Sequence, residues 1–184
     1  MLPNTYSLYI HIPWCVKKCP YCDFNSHVNA GKIDEPAYLK ALLSDFEQEV
    51  GVLQGRQLTS IFIGGGTPSL LSPDFYLNLL ANLRKLADFR DNLEITLEAN
   101  PGTVDASNFE GYRNAGINRL SMGFQSLNDD KLRDLGRIHS AREALDAFYV
   151  SRSAGFDNIN LDLMFALPGQ TVGQALEDLQ QVTE

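Results

Sequence analysis

Short apolar runs alternate along this chain with longer stretches in which apolar residues recur every three or four positions. Runs of this length suit strands, and the longer periodic stretches suit amphipathic helices. Their regular succession predicts repeated β-α units on a parallel sheet. About five units are legible, with strands over residues 7–12, 60–63, 93–98, 119–124 and 158–165. Between them, Leu39, Leu42, Leu43, Phe46 and Val50 recur at helical spacing. Ser72-Pro73 reads as an N-cap followed by proline at the first helical position, and Leu77, Leu80, Leu83 and Leu86 are expected to line one face of the helix that follows. Ala115-Gly116 and Ala154-Gly155 each end a helix and enter a strand, with glycine suited to a left-handed helix stop.

No low-complexity linker divides the sequence, so a single domain over residues 1–184 is expected. The helical pattern that begins near Thr171 runs to Glu184, and five β-α units do not close a barrel. The expectation is a partial α/β barrel, the N-terminal part of a longer protein.

Composition narrows the function classes. At 44% apolar and 184 residues the chain can bury one sizeable core. Net charge is −8, and the fifteen Lys and Arg residues are scattered rather than gathered into the basic stripe that nucleic-acid binding needs. No nucleic-acid partner is therefore expected. No apolar run approaches the ~18 residues of a membrane span, and Met1-Leu-Pro-Asn-Thr lacks a basic region leading into an apolar stretch. These features point to the cytoplasm.

The chain has three cysteines, and all fall within eight residues: Cys15, Cys19 and Cys22. An odd count at close spacing argues against disulfides. A Cys-x3-Cys-x2-Cys loop can wrap three thiolates around a cubane [4Fe-4S] cluster and leave its fourth iron open to an outside ligand. The competing reading is structural zinc, with His11 completing a Cys3His set, although zinc ligand pairs usually come from two separated knuckles. His11 is read as a polar strand residue, and His27 and His139 as surface histidines.

In parallel α/β folds functional groups collect at the carboxyl ends of the strands. The cysteine loop follows the first strand, and Gly64-Gly65-Gly66-Thr67-Pro68 follows the second. Three glycines in a row remove every Cβ and let a ligand approach the backbone, although a plain tight turn would explain them as well. Glu98, on an otherwise apolar strand, needs a partner if buried. Arg119 or Arg137 would serve structurally, and ligand ammonium or ribose hydroxyls functionally. Asp162 shares strand alternation with Asn160 and Met164 and is expected on the barrel interior.

Together these motifs resemble the radical S-adenosylmethionine (SAM) proteins: the cysteine triplet with Tyr21 before its last member, and Gly-Gly-Gly-Thr-Pro after the second strand. More narrowly, Tyr9-Ile-His-Ile-Pro-Trp-Cys, Cys-Pro-Tyr-Cys-Asp-Phe-Asn-Ser, Glu-Ala-Asn-Pro-Gly-Thr, Leu-Gly-Arg-Ile-His and Asn-Leu-Asp-Leu-Met resemble the HemW-type heme chaperones. Their relatives, the oxygen-independent coproporphyrinogen III dehydrogenases, usually carry a further cysteine where Phe24 stands here. The resemblance implies that Cys15, Cys19 and Cys22 hold a [4Fe-4S] cluster and that Tyr21 packs against the adenine of SAM. It implies further that Tyr9, Gly65, Gly66, Thr67, Glu98, Gln125, Arg137 and Asp162 line the SAM pocket. Heme, heme-acceptor proteins and a reductant protein are the implied partners, with porphyrinogen oxidation by a 5′-deoxyadenosyl radical as the alternative activity. Two departures stand out. Ala166 replaces a glycine that often precedes Leu-Pro, and the heme-associated His-Asn-x-x-Tyr-Trp motif of the family's C-terminal half is not among these residues.

Overall fold

The computed structural model describes residues 5–29, 31–103 and 106–183. Met1–Asn4, read above for the lack of a leader, and Glu184 lie outside them. Five strands form one parallel sheet: β1 (Tyr6–Ile12), β4 (Leu58–Gly65), β5 (Phe89–Ala99), β6 (Arg119–Gln125) and β7 (Asn158–Leu163), in that spatial order. Helices connect them: α1 (Glu35–Glu49), α2 (Pro73–Leu86), α3 (Ala106–Ala115), a short α4 (Asp129–Asp134), α5 (Ala141–Ser153) and α6 (Val172–Thr183). A small parallel pair without a sequence signature, β2 (Trp14–Cys15) with β3 (His27–Val28), lies inside the cysteine segment.

Each predicted strand is present. β4 and β5 extend beyond their predicted ends, whereas β7 stops at Leu163 and leaves Phe165 83% exposed. Alternation along the strands sorts the sheet into two faces. Ile10, Ile12, Ile61, Ile63, Ile95, Leu97, Leu120, Met122 and Phe124 are buried in the apolar core. Apart from Phe62, the intervening positions are polar or small. Registration aligns Tyr9 with Phe62, His11 with Gly64, Glu98 with Ser121, Ser121 with Asn160, and Gly123 with Asp162. One face of the sheet therefore carries the apolar core, and the other gathers the polar groups.

The helix signals read as expected at their ends. Ser72 Oγ accepts a hydrogen bond from Phe75 N at 3.1 Å with Pro73 in the first turn, and Glu35 reaches across from α1 to accept from Ser72 N at 2.8 Å. Gly116 and Gly155 stand at φ +107° and +90°. The residues after them, Ile117 and Phe156, donate back to Tyr112 O and Ser151 O, which satisfies carbonyls at the helix ends. The predicted leucine stripe of α2 needs correction. Leu80 and Leu83 are buried, but Leu77 is 50% exposed, and Phe75, Tyr76 and Leu79 complete the buried face. A step of three residues falls about 60° short of a full turn, so a run of such steps rotates off the buried face.

Candidate cofactor site

The cysteine loop is fixed at both its ends. On the incoming side, Gly66 N donates to Ile12 O at 2.6 Å and Thr67 N to Trp14 O at 2.7 Å, which ties the loop to the glycine run after β4. On the outgoing side, His27 N donates to Pro13 O and Asn29 N to Cys15 O, closing the β2–β3 pair. Within the loop, Lys18 Nζ donates to Phe24 O and Ser26 O at 3.1 and 3.2 Å, and Cys22 N to Cys19 O. The three thiols are free, with Cys15 buried and Cys19 and Cys22 partly so.

Close packing of the chain on itself also requires glycine in this run. A Cβ on Gly66 would lie 2.6 Å from Trp14 O, and one on Gly65, at φ +116°, would lie 2.7 Å from the His11 ring. The volume that side chains would take is filled by the first strand and the start of the cysteine loop. Glycine here lets two chain segments meet, and that meeting presents the cysteines to the sheet's polar face.

A cavity of about 390 Å³ opens there, at the carboxyl ends of the strands. Cys15, Cys19, Cys22 and Tyr21 line one side; Gly65, Gly66, Thr67, Glu98, Gln125, Arg137 and Asp162 line the rest. The structure thus gathers eleven of the twelve residues singled out from the sequence. Tyr9 is the exception: it is 56% exposed, stacks against Phe62 with ring centroids 6.3 Å apart, and accepts or donates a 2.9 Å hydrogen bond at His11 Nδ1. Ser121, Gly123 and Asn100 line the cavity without having been singled out. Ser121 and Gly123 share the alternate face of β6 with Gln125, so strand periodicity alone pointed to them.

Glu98 takes neither arginine as its partner. Its Oε2 accepts from Gly65 N at 3.1 Å, while Arg119 faces Glu94 at 4.0 Å and Arg137 Nη2 donates to Gly123 O at 2.8 Å. Burial and the nearby Asp162 carboxylate push the Glu98 carboxyl upward, opposed by the Gly65 N–H and by His11. Asp162 accepts from Ser121 Oγ at 3.0 Å and Asn160 Nδ2 at 2.8 Å, so Asn160 joins it on the polar face as expected. Arg137 also places Nη1 3.9 Å from Cys19 Sγ, a cation beside a thiol. Tyr21 has its phenol pushed upward, mainly by burial, with Arg137 pulling the other way.

The histidines divide. His27 is exposed, as expected. His11 lies on β1 with Nε2 2.7 Å from Asn25 O and Nδ1 engaged by Tyr9, so neither ring nitrogen is turned to the cysteines. Among the described residues, no three His, Cys, Asp or Glu side chains converge tightly enough to share one metal ion. His139 corrects its reading as a surface residue: it is only 4% exposed, held by Asn100 and by the Phe124 carbonyl. Its partners lie 39 and 15 residues away in sequence, so local pattern gave no sign of them.

Comparison with known proteins agrees with this geometry. The chain is 56% identical over 182 residues to the heme chaperone HemW of Haemophilus influenzae, covering 97% of this chain and 48% of that protein. It is 51% identical over 178 residues to HemW of Escherichia coli, covering 97% and 47%. The chain thus spans about half the length of the curated relatives it matches. Among solved structures, coproporphyrinogen III oxidase (HemN) from Escherichia coli, a radical SAM enzyme, superposes with a TM-score of 0.86 at 32% identity, over 96% of this chain and 41% of that one. The α/β fold is accordingly the partial TIM-like barrel expected of this class. The Radical SAM superfamily model matches residues 9–182, from the first strand to the last helix, and the chain belongs to that superfamily.

Proposed function

We propose that residues 1–184 form the N-terminal part of the radical SAM core of a heme chaperone, which binds a [4Fe-4S] cluster and SAM and delivers heme to acceptor proteins. The observation that carries this reading is the convergence of the sequence's three cysteines on one strand-end cavity with Glu98, Gln125, Arg137 and Asp162. Identity to the HemW proteins over nearly the whole chain supports the chaperone assignment.

The donor set fits a cluster better than a single ion. A cubane takes each thiolate on a different iron, so its ligands stand farther apart than ligands sharing one metal. Three thiols on one cavity wall without a tight single-ion cage suit that requirement. Zinc in a Cys3His set would need His11, whose ring nitrogens are already engaged. When bound, a cluster with one open iron supplies an electron and a Lewis-acidic site for SAM. Arg137, with Nη1 3.9 Å from Cys19 Sγ, would place a positive charge beside the bound cluster. Glu98 uses Oε2 on Gly65 N and would offer Oε1 to ammonium or hydroxyl donors. Tyr21 and the glycine run would hold the nucleoside and methionine portions and keep water out. A reductant protein would supply electrons, and the setting would be cytoplasmic. Among the described residues no helix is long and apolar enough to cross a membrane.

Anaerobic reconstitution with iron and sulfide tests the cluster: roughly four irons per protein are expected, and none in the triple Cys→Ala variant. Calorimetric titration with SAM and absorbance titration with heme then test the two ligands. Likeness to HemN favours porphyrinogen oxidation as a second reading. Incubating the reduced protein with SAM and coproporphyrinogen III separates the two, since vinyl product at catalytic turnover would replace the chaperone reading.

A further inference from the structure

The motif Leu-Gly-Arg137-Ile-His139 contributes one residue to the cavity and hides the other behind it. β6 loses its regular pairing to β7 between Gly123 and Gln125, where the register shifts. Beyond that point Phe124 O accepts from Ser126 N at 2.9 Å, closing a three-residue turn whose central residue, Gln125, stands at φ +68°. A non-glycine residue in this left-handed turn is strained and persists only when its surroundings hold it. The turn sets where Gln125 meets the cavity.

His139 Nε2 lies 3.3 Å from the same Phe124 carbonyl, and its Nδ1 lies 3.1 Å from Asn100 Oδ1 at the end of β5. Asn100 is itself pinned: its N–H donates to Ser69 Oγ, and its Oδ1 accepts from Gly102 N. One residue upstream of Phe124, the Gly123 carbonyl accepts from Arg137. The two successive carbonyls before the turn are thus held by Arg137 and His139.

We infer that His139 is a positioning residue of the cofactor site, whose Nε2–H braces the Phe124 carbonyl and so holds the strained Gln125 turn in its ligand-facing form. The inference rests on the proposal that this cavity binds SAM. The ring faces two acceptors, Phe124 O and Asn100 Oδ1, and a neutral ring has one N–H, so the brace requires it on Nε2. Glutamine can place a side-chain N–H in that position, whereas phenylalanine fills the volume without a donor.

The test uses the reconstituted wild-type protein with the His139→Gln and His139→Phe variants. Iron content is expected to be unchanged in both. SAM affinity by calorimetry is expected to fall about tenfold in His139→Phe and to stay within about threefold of wild type in His139→Gln. Equal SAM affinity in all three proteins, or equal loss in both variants, overturns the role. Nitrogen NMR of the wild-type imidazole gives a second readout that needs no folded variant: Nε2 protonated at neutral pH is expected, and an unprotonated Nε2 overturns the inference. If wild-type protein carries its cluster and binds no SAM, the cavity assignment fails and this role falls with it. SAM binding that is insensitive to His139 removes the inference alone.

Discussion

Glu98 Oε2 accepts the backbone N–H of Gly65 at 3.1 Å, joining the carboxyl ends of β4 and β5 across the floor of the cavity. The same carboxyl has its pKa raised, first by burial and then by the Asp162 charge. A raised pKa means that the folded state favours the protonated form more than the unfolded state does. Stability linked to this group is therefore full below the ordinary carboxyl range and is lost as pH rises through the folded value.

Glu98→Gln, which is always neutral and can still accept from Gly65, should consequently raise the unfolding midpoint at pH 7. Its advantage over wild type should shrink as pH falls below the ordinary carboxyl range, where Glu98 becomes protonated in both states. SAM affinity should fall about tenfold, because the ionised acceptor is gone. Thermal unfolding across that pH range together with calorimetry checks both halves. A variant that loses stability at pH 7 would show that the carboxylate serves the fold instead of opposing it, as a site residue under strain does.

Glu98 and Asp162 were legible in the sequence because each lies on a strand whose apolar partners alternate, so their face follows from a period of two, whereas Gln125, past the register shift, was legible only through the family resemblance. The cysteine triad was legible because it is local. His139 was not: its burial depends on Asn100 and Phe124, which only the packed sheet ends bring to it. β2 and β3 were illegible for a different reason, since two residues per strand carry no periodicity. The glycine run reads equally as room for a ligand or as a tight turn, and in the fold Cβ atoms on Gly65 and Gly66 would meet His11, Ile12 and Trp14 of this same chain. Composition marks where Cβ atoms are excluded, and only the fold says what excludes them.

That last distinction predicts the effect of Gly66→Ala. The added Cβ would meet Trp14 O at 2.6 Å and Ile12 O at 3.0 Å, both backbone atoms that cannot rotate aside. The Gly66 N–H to Ile12 O and Thr67 N–H to Trp14 O bonds would open as the loop moved away. Overpacking of this kind costs about 1–3 kcal/mol. Denaturant unfolding should show that loss, and anaerobic reconstitution should show reduced iron per protein. Full iron loading with wild-type stability would mean that the loop seats without this contact.

The corrected face of α2 separates two leucines that simple spacing groups differently. Leu79 is buried among the core residues, and Leu77 is half exposed. Leu79→Ala should cost about 2–5 kcal/mol through lost burial and the cavity left behind. Leu77→Ala should stay within about 0.5 kcal/mol of wild type, as exposed substitutions in helices generally do. Urea midpoints at constant slope measure both, and comparable losses at the two positions would restore the stripe read from spacing.

Asp178 shows how a single buried carboxylate can anchor a whole element. It lies on α6 at 4% exposure, accepting from Ser126 Oγ at 2.7 Å and from Leu127 N at 2.9 Å. These bonds tie the last helix to the segment that follows the Gln125 turn, so a helix contribution reaches the cavity through the backbone. Asp178→Ala would strand a buried backbone N–H and a buried hydroxyl, which costs about 2–4 kcal/mol. Asp178→Asn keeps an acceptor for Leu127 N and offers an amide N–H that Ser126 Oγ can accept, so its loss should be nearer 1 kcal/mol. Hydrogen exchange should localise the alanine defect, with faster exchange at Leu127 and along α6 while the amides of β4 and β5 stay protected. Uniform acceleration across the sheet would instead mean that Asp178 supports the core as a whole, and that α6 does not open as a separate unit.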